Sequence, residues 1–146
     1  MKIDKNFTIL GGYALEQGEL HYDIHNNYDF AEFKRDVYKN TIDLVFVKLN
    51  EDWVRDDDPK SITLRFYEPS FFKSSENLFL MQNSYIPRFG YITREYMEAD
   101  FLFDEKDLES DSEKVDFYMY FDIFSNSPLP DSYLIIGAPK IRLITK

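Results

Sequence analysis

The chain has no cysteine among its 146 residues, which excludes disulfides and thiolate metal ligands and agrees with a reducing cytoplasm. It carries only two histidines, His21 and His25, so any imidazole chemistry is confined to one place. Glycine is sparse too: Gly11-Gly12 has neither the Lys-Ser/Thr nor the spacing of a phosphate loop. A G-x-S-x-G nucleophile elbow is missing as well. No stretch approaches the roughly 20 consecutive apolar residues of a membrane helix. Met1-Lys2-Ile3-Asp4-Lys5-Asn6 has no apolar run behind its positive charges, which is not the pattern of a signal peptide. These absences lead us to expect a cytoplasmic protein that does not enter a membrane.

What the chain has in quantity is acid and aromatic rings. Its 27 acidic residues face 17 basic ones, a formal charge of −10. Such a surface repels phosphate backbones, which argues against direct nucleic-acid binding. The same charge attracts a basic protein partner, and it also serves plain solubility. The 14 Phe and 11 Tyr suit half-buried pleated surfaces. They supply either an aromatic β core or a surface on which a ligand stacks.

Periodicity gives the fold class. Ser61-Ile62-Thr63-Leu64-Arg65-Phe66-Tyr67 alternates cleanly, as a strand with one buried face does. Thr41 to Leu49 places Ile42, Leu44 and Phe46 on one face and Val45, Val47 and Leu49 on the other, the mark of a central strand. Phe7–Leu10, Leu20–Ile24, Tyr96–Phe103, Val115–Phe124, Tyr133–Gly137 and Ile141–Ile144 read as further strands, with shorter apolar stretches at Phe71-Phe72 and Asn77–Met81. Tyr85–Ile92, broken by Pro87 and Gly90, reads as an edge strand or ordered loop. Residues 28–38 fit either a short capped helix or the first arm of a hairpin turning at Tyr38-Lys39-Asn40; the clear strand that follows favours the hairpin. We therefore expect one mainly β domain over 1–146: an antiparallel β-sandwich or partly open barrel of about eight or nine strands, with at most one or two short helices.

Several groups of residues are candidates for function. On a strand, His21, Asp23 and His25 would point the same way and present three metal-capable side chains, or simply a polar strand face near a loop. Asp56-Asp57-Asp58 offers oxygen ligands or a solvated loop, but lacks the spacing and glycine of an EF-hand. Glu32-Phe33-Lys34 and Asp104-Glu105-Lys106 match the D/E-x-K triplet of nucleases, yet Pro130-Asp131 follows both, the wrong order for that chemistry. The segment bearing Asp104, Glu105, Asp107, Glu109, Asp111 and Glu113 is either a solvated connection or an anionic docking surface. Tyr118, Tyr120 and the single tryptophan, Trp53, are its natural aromatic neighbours, Trp53 serving as a rim plug of the core or as an exposed anchor. With no reactive centre in view, the expectation is a non-enzymatic binding protein that needs no cofactor.

The run Asn40-Thr41-Ile42-Asp43-Leu44-Val45-Phe46, an acidic loop, and then Ser61-Ile62-Thr63-Leu64-Arg65-Phe66 leading into Phe71-Phe72 has a definite cadence. It resembles small bacterial β proteins among the immunity proteins of polymorphic toxin systems, over about residues 30–75. The resemblance implies a cytosolic inhibitor that binds a secreted toxin, and it carries over no catalytic residue. A small-ligand or carbohydrate binder with an aromatic-lined surface, and an inhibitor that mimics nucleic acid, are the competing readings.

Overall fold

The computed structural model describes residues 4–75, 86, 89–92, 118–123 and 132–146. These residues are mainly β. Twelve strands and one helical turn occur among them, more than the expected eight or nine. In chain order the strands are β1 (Asp4–Lys5), β2 (Thr8–Leu10), β3 (Ala14–Gln17) and β4 (Leu20–Asp23). After the turn α1 (Ile24–Asn27) come β5 (Tyr28–Asp36), β6 (Thr41–Lys48), β7 (Ser61–Tyr67) and β8 (Phe71–Ser74). The last four are β9 (Phe89–Ile92), β10 (Tyr118–Ile123), β11 (Ser132–Gly137) and β12 (Lys140–Thr145). The strands expected at Asn77–Met81 and Tyr96–Phe103, and the turn at 125–131, lie outside the described residues.

The strands form three open sheets, in keeping with the expected mainly β fold that is not a closed barrel. The largest has the order β1-β12-β7-β6-β5, the second β8-β11-β10-β9, and the third is the meander β2-β3-β4. Among the described residues every pairing is antiparallel except β1 with β12. The two strands most legible in the sequence, β6 and β7, sit side by side inside the five-stranded sheet. Their register stacks Ile42 on Phe66 and Leu44 on Leu64, and β12 extends the rows with Ile141 and Leu143. All six side chains are buried, as period-two alternation demands. The four-stranded sheet adds Leu134, Ile136, Phe89 and Tyr91 to the same cluster, and the meander adds Ile9, Leu15 and Tyr22. Each such side chain contributes about 1.5–3 kcal/mol of burial free energy. One core thus serves all three sheets.

Residues 28–36 are the first arm of a hairpin and not a helix. β5 pairs with β6 along its whole length, with an irregularity between Phe30 and Glu32. The turn closes where Asp36 Oδ1 accepts the Lys39 amide at 3.0 Å and Asn40 takes φ +52°. Asn tolerates that left-handed conformation better than most residues. Gly12, at φ +75°, ends the first hairpin in the same region of backbone space and accepts the Phe89 amide at 2.9 Å. A Cβ there would stand 3.2 Å from the Phe89 carbonyl, so the contact that joins the meander to β9 favours glycine.

Away from the core, the other face of the five-stranded sheet carries a row of charge. Register places Lys34, Asp43, Arg65 and Arg142 on four successive strands. Arg65 grips Asp43 through two bonds of 2.9 and 3.0 Å, and Arg142 reaches Asp4 on β1 at 2.9 Å. Such opposite-charge neighbours hold strand register on a face that hydrophobic burial does not specify.

Candidate functional site

The strand expected over Leu20–Ile24 stops at Asp23, because that residue caps α1. Its Oδ1 accepts the Asn26 amide at 3.0 Å and its Oδ2 the Asn26 side-chain amide at 2.8 Å. This is ordinary N-cap chemistry. His25 therefore leaves the strand's alternation and donates from Nδ1 to the Ile86 carbonyl at 3.0 Å. His21 instead faces Glu16 across the β3–β4 pair, 3.4 Å from Nδ1 to Oε1, with the Tyr13 ring edge-on beside it. The candidate set of His21, Asp23 and His25 is thus split by a helical turn. Among the described residues no group of three or more His, Asp or Glu side chains is placed to hold a metal.

What the fold brings together is His21 and Asp23 with the Asp56–Asp58 loop. A cavity of about 540 Å³ opens between β4 and the residues leading into β7. Four carboxylates line it, Glu19, Asp23, Asp57 and Asp58, against the guanidinium of Arg55 and the His21 ring. Arg55 is committed: its Nε and Nη2 donate to both Asp57 oxygens at 3.1 and 2.8 Å. That bond, with the charge behind it, holds the Asp57 carboxyl below the usual carboxylate range. The remaining balance is negative.

The loop owes its shape to a residue outside it. Lys48, at the end of β6, donates from Nζ to the carbonyls of Arg55, Asp56 and Asp58 at 3.2, 3.3 and 3.2 Å. An ammonium wrapped by three carbonyls fixes the backbone of this largely acidic loop. Below the loop, the Tyr28 hydroxyl donates to the Pro59 carbonyl at 2.8 Å. Burial, followed by the negative charge of Asp58, raises the pKa of both Tyr22 and Tyr28.

Trp53 stands at the edge of this region with 62% of its surface exposed. Its Nε1 donates to the Asn26 carbonyl at 3.1 Å, tethering the loop to α1, while its neighbour Val54 is the buried member of the pair. Of the two roles open to Trp53, this is the exposed one. Leu20, 56% exposed, lines the cavity beside Glu19. One large apolar side chain, Leu20, thus lies among the carboxylates, with Trp53 exposed nearby on the loop tied to α1.

Family models, curated proteins and solved structures yield no match to this chain. The geometry alone must carry the functional reading. Tyr118 and Tyr120 lie in β10, in register with Ile92 and Gly90 of β9. Asp104, Glu105, Asp107, Glu109, Asp111 and Glu113 lie outside the described residues. Glu32 and Lys34, the other nuclease-like triplet, form an ion pair with each other at 3.1 Å on the β5 surface. Sequence reasoning missed Glu19, Leu20, Lys48 and Arg55. Only Leu20 left a signal, as an apolar residue at the exposed start of a short strand.

Proposed function

We propose that this chain is a non-enzymatic binding protein that receives a cationic segment of a partner protein at the cavity beside Trp53. The most concrete form of that reading is an immunity protein that neutralises a secreted toxin from within the cytoplasm. One observation carries it: Asp23 and the sequence-distant pair Asp57-Asp58 line one opening that Leu20 also lines, with exposed Trp53 tied to α1 beside it. Exposed aromatic and aliphatic anchors ringed by charge are the make-up of a protein interface. Carboxylates held on a rigid scaffold steer a basic partner and set its register. The net charge of −10 adds long-range attraction of the same sign.

Trp53 is the only tryptophan, so its emission reports this surface alone. A Lys/Arg-rich peptide titrated at low salt is expected to shift or quench that emission. Raising ionic strength should weaken the effect, and Asp57→Asn with Asp58→Asn should weaken it further. Emission that ignores the peptide, or association indifferent to salt, would count against the docking surface. Toxin neutralisation has its own test, co-expression with the product of a neighbouring large gene. Growth rescue that is lost with Trp53→Ala supports the reading, and the absence of rescue sinks it.

A further inference from the structure

The opposite end of the five-stranded sheet has the opposite character. Where β5 turns into β6, a cavity of about 700 Å³ is lined by Lys34, Arg35, Lys39 and Arg65 against only Asp36 and Asp43. Cations outnumber acids two to one there, in a chain where acids outnumber bases 27 to 17. Neighbouring rows explain the local excess. Lys34, Asp43 and Arg65 form one cross-strand row, and Asp36, Thr41, Tyr67 and Lys140 form the next. Lys140 lies over the Tyr67 ring, 4.8 Å from its centroid, and adds a fifth positive group beside the opening.

The cations are not equivalent. Asp43 neutralises Arg65 and Glu32 neutralises Lys34. Asp36 spends one oxygen on the turn's backbone at the Lys39 amide. Arg35 and Lys39 have no ion-pair or hydrogen-bonding partner for their side chains among the described residues. Lys39, on the turn, and Arg35, whose register partner is Ile42 on the sheet face opposite Thr41 and Tyr67, both border the opening, and their charges suit the oxyanion of a phosphate monoester near neutral pH. The turn also presents Val37, 75% exposed, and Tyr38, fully exposed, where an organic group attached to that phosphate would lie. A volume of this size is in the range of small-molecule sites.

We propose that the cavity at the β5–β6 turn binds a phosphate monoester, with Arg35 and Lys39 holding the phosphate and Tyr38 covering its organic group. The site is separate from the acidic surface, and neither reading depends on the other.

The test uses the whole chain and backbone amide NMR, with inorganic phosphate, phenyl phosphate, phosphoserine and benzoate as probes. Phenyl phosphate is expected to give saturable shifts confined to the amides of residues 34–41 and 65–67. Arg35→Ala with Lys39→Ala should weaken binding at least about tenfold, the equivalent of about 1.4 kcal/mol. Tyr38→Ala should weaken phenyl phosphate while leaving inorganic phosphate unchanged. Phosphoserine binding as tightly as phenyl phosphate would keep the phosphate site and remove the role of Tyr38. The double variant carries exposed substitutions only, and an otherwise unchanged spectrum shows that it remains folded. Benzoate equal to phenyl phosphate, or no saturable shift at millimolar probe, overturns the proposal. Shifts at the same amides produced by raising protein concentration alone also overturn it, by placing a second copy of the chain there.

Discussion

Replacing Lys48 by methionine keeps the apolar stem and removes only the ammonium, so it isolates what the three carbonyl contacts contribute. A hydrogen bond to a charged group is worth about 1.5–3 kcal/mol when buried. Here the accepting carbonyls of Arg55 and Asp56 are at the surface and can turn to water, so the bonds do not add in full. A loss of about 1–2 kcal/mol is expected, or about 2–8 °C in Tm for a chain of this length. The sheet itself should hold. Lys48 still donates its backbone amide to Lys60, Lys60 donates to Lys146, and the Tyr28 hydroxyl still holds Pro59. The damage therefore falls on residues 51–58. Limited proteolysis should cut that loop first, and Trp53 emission should move toward that of free indole in water. Affinity for a cationic peptide should drop by more than the change in global stability implies. If Tm, cleavage pattern and emission all match the wild type, Lys48 does not organise the loop and the site has lost its scaffold.

Other perturbations test the frame around the two sites. Asp43→Asn leaves the half-buried Arg65 guanidinium without its carboxylate, and urea denaturation should show a loss of about 1–3 kcal/mol. Phe66→Ala empties the centre of the largest sheet and should cost about 3–5 kcal/mol, read as a fall in denaturant midpoint with an unchanged slope. Burial raises the phenol pKa values of Tyr22 and Tyr28 above the ordinary 10.0, so the folded chain prefers both neutral. Their contribution is complete below pH 10 and lost as pH climbs toward the raised folded values, because the unfolded chain ionises first. Stability followed by circular dichroism should fall steeply above pH 10, and Tyr28→Phe should flatten that fall.

The alternation of β6 and β7 was legible because both strands bury one face completely, and burial is what writes period two into a sequence. β1 and β3 left little trace. Asp4-Lys5 is two polar residues held by backbone bonds to β12, and Ala14 and Leu15 are adjacent and both buried, which breaks alternation. The split of the strands into three sheets was beyond reach for a different reason. Pairing β12 with both β7 and β1 depends on contacts more than 70 residues apart, and nothing local encodes them. At the site, the metal-like spacing of His21, Asp23 and His25 presumed a strand where Asp23 with Asn26 three residues later spells a helix cap. The Asp56–Asp58 loop and His21-Asp23 were each visible. Their meeting was not, since it follows from where β4 ends beside the chain entering β7.

The five-stranded sheet keeps the two sites apart. Asn27, Asp58 and Thr145 border the acidic cavity at one end of β5, β7 and β12, while Asp36, Tyr67 and Lys140 mark the other end of the same strands. At about 3.3 Å per residue, the eight residues of β6 separate the cavities by on the order of 20 Å. That is more than twice the screening length of about 8 Å at physiological salt. Substitutions so far apart, with no shared partner, should act additively. Asp57→Asn with Asp58→Asn should therefore leave phenyl phosphate affinity at the turn unchanged at physiological salt. In dilute buffer the same pair should raise it slightly, because two distant negative charges no longer oppose the ligand. A change that persists at physiological salt would mean that the ends communicate through the strands themselves, and the picture of two independent surfaces on one rigid sheet would fail.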